Sequence, residues 1–219
     1  KIGRDLTMPV ICPSITAKNK EEYDKQIKKV AHFAHRIQID LTDGKLAPLL
    51  KVQPNEAWWP VGVKADFHLM FEDPFLAVKI VIEHKPHLII VHAEAKGSFE
   101  AFASRCHSHG VKVGVALLPK TSPQAIEGAL GKIDHVLIFS GHLGSFGGHA
   151  DLDLLHKVHY LKERKPEIEI GWDGGITDQN ISLLASGGVD VFDVGGFIQS
   201  SQDPEKAFHK LQRIADETQ

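Results

Sequence analysis

Cysteine is nearly absent: the chain of 219 residues holds two, Cys12 and Cys106. One falls in a strand-like run and the other in a helix-like run, which excludes a disulfide framework and fits a reducing, cytoplasmic setting. No block of like charge is present, and 25 basic against 28 acidic residues balance to −3. That excludes a broad electrostatic footprint for nucleic acid or an anionic lipid surface, so an anionic ligand must be held by a local site. No apolar run approaches the roughly 20 residues that cross a bilayer. The stretch Lys1–Thr7 lacks the charged-then-apolar order of a secretion signal. Linkers and low-complexity segments are missing too. The expectation is one domain over residues 1–219, with no membrane and no nucleic-acid partner.

What is present is a repeat of two periodicities. Short β-rich runs fall at Pro9–Ile15, Arg36–Asp43, Lys64–Met70, Leu88–Glu94, Lys112–Pro119, His135–Gly141, Glu169–Ile176 and Asp190–Ile198. Amphipathic stretches separate them: Tyr23, Ile27, Val30, Ala31 and Ala34 share one helical face, as do Phe208, Leu211, Ile214 and Ala215. Runs such as Leu88-Ile89-Ile90-Val91 are continuously apolar, as a parallel sheet covered on both faces requires. Strict strand–helix alternation repeated eight times predicts an α/β protein, a single closed (β/α)8 barrel of the TIM type. Gly110, Gly131 and Gly187-Gly188 read as helix stops and Asp203-Pro204-Glu205 as a helix start. The one irregular unit is Gly44–Pro60, where three prolines leave room for a short helix around Asn55–Trp59 and predict a long ordered loop, either a lid or a surface excursion.

In such a barrel the chemistry sits where strands run out into loops. Gln38 and Asp40 lie two apart and share a face, as do Asp66 and His68, and His92 and Glu94; Asp173 closes the seventh strand. A single polar residue of this kind is more often just hydrogen-bonded to its neighbours. Carboxylates and imidazoles converging from several strands suit a divalent metal or acid–base chemistry. Glycine pairs follow the last three strands: Gly147-Gly148, Gly174-Gly175 and Gly195-Gly196. One pair makes a tight turn; three together predict a phosphate cradle built from backbone N–H groups.

The segments Cys12-Pro13-Ser14-Ile15, Ile39-Asp40-Leu41-Thr42-Asp43-Gly44, Asp66-Phe67-His68-Leu69-Met70, Val91-His92-Ala93-Glu94, Phe146-Gly147-Gly148 and Trp172-Asp173-Gly174-Gly175-Ile176 occur in order across nearly the whole chain. In them the chain resembles the ribulose-phosphate 3-epimerases, a family that interconverts ribulose 5-phosphate and xylulose 5-phosphate and has relatives acting on six-carbon ketose phosphates. The resemblance implies a barrel of the ribulose-phosphate-binding type and a phosphorylated ketose as substrate. It implies that Asp40 and Asp173 transfer the C3 proton on opposite faces of the substrate, through an enediolate that a metal stabilises. It makes Asp40, His68 and Asp173 ligands of a divalent metal, Zn²⁺, Fe²⁺ or Mn²⁺. Ser14, His68 and Met70 are expected against the substrate, and Gly147, Gly148, Gly175, Gly195 and Gly196 around its phosphate. A homo-oligomer is expected, with Trp58 and Trp59 either at a subunit interface or in the core.

The departures from the family pattern are chemical. Gln38 stands where the family has a first metal-ligating histidine, and an amide oxygen is a poorer ligand than imidazole, which predicts weak or absent metal. Thr42 and Phe139 replace methionines. The loop Gly141–Gly148 is one residue longer than the family's and brings in His142, which as a loop residue is expected to face solvent. Two readings remain open: a ketose-phosphate epimerase, and a paralogue that keeps the cradle without epimerising. Retention of both aspartates favours the first.

Overall fold

The computed structural model describes residues 8–48 and 52–218; residues 1–7, 49–51 and 219 lie outside them. Eight parallel strands close in sequence order: β1 (Val10–Ile15), β2 (Arg36–Thr42), β3 (Lys64–Met70), β4 (Leu88–His92), β5 (Lys112–Leu117), β6 (His135–Phe139), β7 (Glu169–Asp173) and β8 (Val191–Val194), with β8 pairing back onto β1. Helices α1 (Lys20–Val30), α2 (Phe75–Val81), α3 (Phe99–Ser108), α4 (Leu155–Arg164), α5 (Ile181–Ser186), α6 (Gly196–Gln199) and α7 (Pro204–Asp216) cover it. The expected (β/α)8 barrel is what forms.

Local sequence explains where the helices start. Asn19, Ser98 and Asp203 each accept a backbone N–H of the first turn, at Glu22, Ala101 and Lys206. Asp203 with Pro204 behind it is the helix start read from the sequence. Two connections differ from expectation. Among the described residues between β2 and β3 only a 3₁₀ turn, Pro54–Glu56, forms, because Pro54 starts a helix that the extended backbone at Ala57 ends at once. Between β5 and β6 the chain makes a 3₁₀ stretch, Pro123–Lys132, so Gly131 lies inside it rather than after it. The strands also stop earlier than the apolar runs do: β4 ends at His92, and Glu94 already belongs to a turn.

Alternation along each strand separates two environments. Ile37, Ile39 and Leu41 of β2 pack outward into the large core between sheet and helices, while Gln38, Asp40 and Thr42 take the inward parity. Leu88, Ile90, Ala116 and Leu137 fill the barrel's middle. Trp59 packs edge-on against Phe67 at 5.7 Å, a core role, whereas Trp58 is partly exposed and donates its indole N–H to Asp24 at 2.6 Å.

The lower end of the barrel holds a charged network. Arg36 Nε donates to Asp66 Oδ2 at 2.6 Å, and its two terminal nitrogens donate to the Glu169 carboxylate at 2.9 and 2.8 Å. His135 Nδ1 lies 2.7 Å from Glu169 Oε2. Burial acts to raise the Glu169 pKa, but the hydrogen bonds from Arg36 and His135 prevail and hold it well below the usual carboxylate range. Asp66 therefore serves this lower network and not the mouth where its spacing to His68 had placed it. Gly171 makes room for it, since a Cβ there would sit 2.5 Å from His135 Nε2. Removing one member of such a buried network strands the others. Arg36→Leu should lower stability by about 3–5 kcal/mol; a urea unfolding midpoint unchanged from wild type would rule that out.

Candidate active site

At the opposite, C-terminal end, the adjacent strands β2 and β3 deliver Asp40 and His68, and β7 delivers Asp173. Register places Asp40 directly beside His68 on β2 and β3. His68 Nδ1 lies 3.1 Å from Asp40 Oδ1 and 3.8 Å from Asp173 Oδ2. Each of the three offers one ligand atom, and these atoms lie within 4.8 Å of one another. The sequence-derived metal triad is thus brought together.

Gln38 occupies the middle of it. Its Nε2 donates to Asp40 Oδ1 at 3.1 Å and to Asp173 Oδ2 at 2.7 Å, while its Oε1 is buried without a hydrogen-bond partner. An amide N–H₂ bridges the two carboxyls. Thr16, just beyond β1, donates its hydroxyl to the other oxygen of Asp40. Burial pushes the Asp40 pKa up to about 7 against the pull of the Thr16 and Gln38 hydrogen bonds. Burial and the charge of Asp40 push Asp173 up to about 7 as well. Burial lowers His68 to about 4, so its ring is neutral.

Above these groups opens a cleft of about 230 Å³. Ser14, Asp40 and Asp173 line its floor, and Gly147, Gly148, Gly175, Gly195 and Gly196 line its walls. Met70 is fully buried and does not reach it, and His68 lies beneath the surface behind Asp40. The glycines answer to close backbone approach. Gly174 and Gly175 have φ of 114° and 70°. A Cβ on Gly174 would sit 2.0 Å from Gly141 N, and one on Gly175 2.1 Å from Ala150 N. The loops after β6 and β7 therefore pack backbone to backbone. Gly196, by contrast, has room: a Cβ there meets nothing nearer than Phe146 Cβ at 3.6 Å.

His142 lines the rim on an exposed turn and bridges to Ser145, away from the triad. The loop following β2 reaches this rim, because a Cβ on Gly144 would meet Pro48 O at 3.1 Å. Two participants escaped the sequence reading. Thr16 lies one residue past the strand-like run. Asp193 of β8 is buried and lines the cleft, and burial and the charge of Asp173 push its pKa well above the usual carboxylate range. Its signal was available: a carboxyl in the middle of the apolar strand Val191–Val194.

The family model described as the ribulose-phosphate 3 epimerase family matches residues 10–198. A ribulose-phosphate 3-epimerase of Helicobacter pylori is 30% identical over 212 residues, covering 93% of this chain and 97% of that protein. One of Schizosaccharomyces pombe is 27% identical, covering 92% and 91%. Among solved structures, 3-hexulose-6-phosphate synthase from Salmonella typhimurium superposes with a TM-score of 0.73 at 13% identity over 96% of this chain and 100% of that one. The 3-keto-L-gulonate-6-phosphate decarboxylase of Vibrio cholerae does so with 0.72 at 14%, over 97% and 100%. At such identities these two speak to the fold alone.

The carboxyl pair sets a pH signature. Folded-state pKa values near 7, above the 3.8 of the free carboxyl, mean that the folded protein keeps protons that the unfolded chain releases. This contribution to stability is present below about pH 4 and is lost as pH rises through 7. In a chelator, Asp173→Asn should gain on wild type steadily between pH 4 and 7 and then level off. Thermal unfolding curves that stay parallel across that range would show that the pair carries no excess proton.

Proposed function

Because the chain belongs to the ribulose-phosphate 3-epimerase family, we propose that it inverts the C3 centre of a ketose phosphate, with Asp40 and Asp173 as the proton-transfer pair. The observation that carries this reading is a pair of cleft-lining carboxyls on different strands, both poised near neutrality beside three glycine pairs. A base and an acid that exchange roles need pKa values near the working pH, and burial supplies them here. One carboxylate takes the C3 proton, and the other, protonated, returns one to the opposite face. Thr16 holds Asp40 by its outer oxygen, which leaves the inner oxygen for Gln38 and His68. Ser14, its hydroxyl buried and without a hydrogen-bond partner, faces the cleft as a donor to the sugar. The phosphate sits against the glycine backbone of the loops after the last three strands.

Two carboxylates and a neutral imidazole are a fitting donor set for Zn²⁺, Fe²⁺ or Mn²⁺. Such an ion, held by Asp40, His68 and Asp173, supplies Lewis acidity that makes the C3 proton easier to remove. Gln38 opposes it. Its N–H₂ hydrogens already satisfy both carboxyls, and only rotation of the amide would offer the unpartnered Oε1 as a donor. The same observation favours a second reading, a sugar-phosphate binder that has given up epimerisation.

Two experiments test these readings. Solvent deuterium should enter C3 of a ribulose or hexulose phosphate, and Asp40→Asn or Asp173→Asn should each slow it by a factor on the order of 10²–10⁴. Binding of the phosphorylated sugar without any exchange would select the second reading. Metal titration should give tighter Zn²⁺ or Mn²⁺ binding by Gln38→His than by wild type; equal affinity, with metal retained by the wild type on purification, would refute this account of Gln38.

A further inference from the structure

Behind the triad, two further groups continue inward from His68. His68 Nε2 lies 2.8 Å from His92 Nε2, and His92 Nδ1 lies 3.4 Å from Glu94 Oε2. That last separation is long for a hydrogen bond, yet neither atom has any other partner, so each is the other's only outlet among the described residues. The two rings stack at 5.0 Å and 26°, and Phe139 closes over them at 5.8 and 6.2 Å. Glu94 is anchored at its far oxygen, where Oε1 accepts the Leu118 N–H at 3.3 Å and the Thr121 hydroxyl. The result is a fixed row of four side chains: Asp40, His68, His92, Glu94.

The proton count in this row has one solution that avoids conflict at its closed end. Each neutral ring carries one N–H, so two protons serve three links between carboxyls at either end. One link must go without a ring proton. A carboxylate accepts only, so a bare His92 Nδ1 against Glu94 would set lone pair against lone pair; the buried Lys157, which feels the Glu94 charge, donates its ammonium hydrogens to the Leu118 and Pro119 carbonyls and not into this link. At the cleft end a cation or an added proton can relieve the same conflict. His92 therefore donates from Nδ1 to Glu94, its Nε2 accepts from His68 Nε2–H, and His68 Nδ1 is left bare.

We propose that Glu94, acting through His92, fixes the tautomer of His68 so that Nδ1 offers its lone pair into the space between Asp40 and Asp173. Glu94 and His92 are thus positioning residues for a metal ligand, an inference that rests on the metal reading above. Burial lowers the pKa of both rings, and at Glu94 the hydrogen bonds from His92 and Thr121 outweigh burial and hold the carboxyl below its ordinary value. This arrangement assigns a role to the pair His92 and Glu94, which no step of proton transfer uses.

Glu94→Gln is the discriminating variant. Leu118 N–H and Thr121 fix the new amide's oxygen at the Oε1 place, which puts its N–H₂ opposite His92 Nδ1. The row then reverses, and His68 turns an N–H toward the metal position. The experiment has two readouts. Long-range ¹H–¹⁵N spectra of the metal-free protein, with His68 assigned by loss of its signals in His68→Gln, should show Nε2 protonated and Nδ1 bare in wild type and the opposite in Glu94→Gln. Calorimetric titration with Zn²⁺ should show affinity about 10–100-fold weaker in Glu94→Gln, with circular dichroism unchanged. A protonated His68 Nδ1 in the wild type overturns the proposal whether or not any variant folds. Equal Zn²⁺ affinity in a folded Glu94→Gln overturns it as well. A wild type that binds no Zn²⁺ overturns the metal reading itself, and the metal-free spectra still decide the tautomer.

Discussion

Two carboxyl groups buried side by side are the constraint around which the upper half of this barrel is arranged. Asp40 and Asp173 come from strands on different sides of the barrel, yet one amide reaches both. In a low-dielectric interior two bare negative charges at that spacing are unfavourable, so something positive or a proton must accompany them. Two neighbours supply part of that, the Thr16 hydroxyl and the Gln38 amide. The same requirement makes the pair useful, because groups that share a proton near neutrality are groups that can hand one over.

The lower half solves the opposite problem. Asp66 and Glu169 are also inward carboxyls, but Arg36 answers them with three donated hydrogen bonds and leaves Glu169 firmly ionised. One barrel thus carries two sets of inward acids, with Glu169 held ionised in the lower and Asp40 and Asp173 pushed toward neutrality in the upper. The lower layer is locked by charge pairing and the upper is left responsive. Glycine at position 171 allows the lower layer to fit, and glycines 174 and 175 allow the upper loops to close on one another.

Much of this was legible in the residues. Eight apolar runs separated by amphipathic stretches fix the barrel, and the two-residue spacing of Gln38 with Asp40 fixes which side chains look inward. The strand ends supplied the candidates, and the family resemblance singled out the triad among them. Asp66 was misplaced because spacing along a strand gives the face and not the depth; depth is decided by partners, and Arg36 lies two residues below Gln38 on the neighbouring strand. Thr16 was missed because it lies past a strand end, where alternation no longer constrains direction. Asp193 was passed over within an apolar run that reads as core. Met70 shows the reverse error: an inward residue at a strand end was expected against the ligand, and it is sealed from the cleft. The 3₁₀ connections escaped because helical periodicity in short segments does not distinguish one helical pitch from another.

The amide bridge at position 38 has a consequence in the genetic code. Glutamine and histidine codons share their first two bases and differ only in the third, a purine for one and a pyrimidine for the other. The bridging amide and an imidazole at the same place are therefore one transversion apart. A lineage can cross between the two forms in a single mutational step, without passing through a barrel whose buried carboxyls lack a polar neighbour.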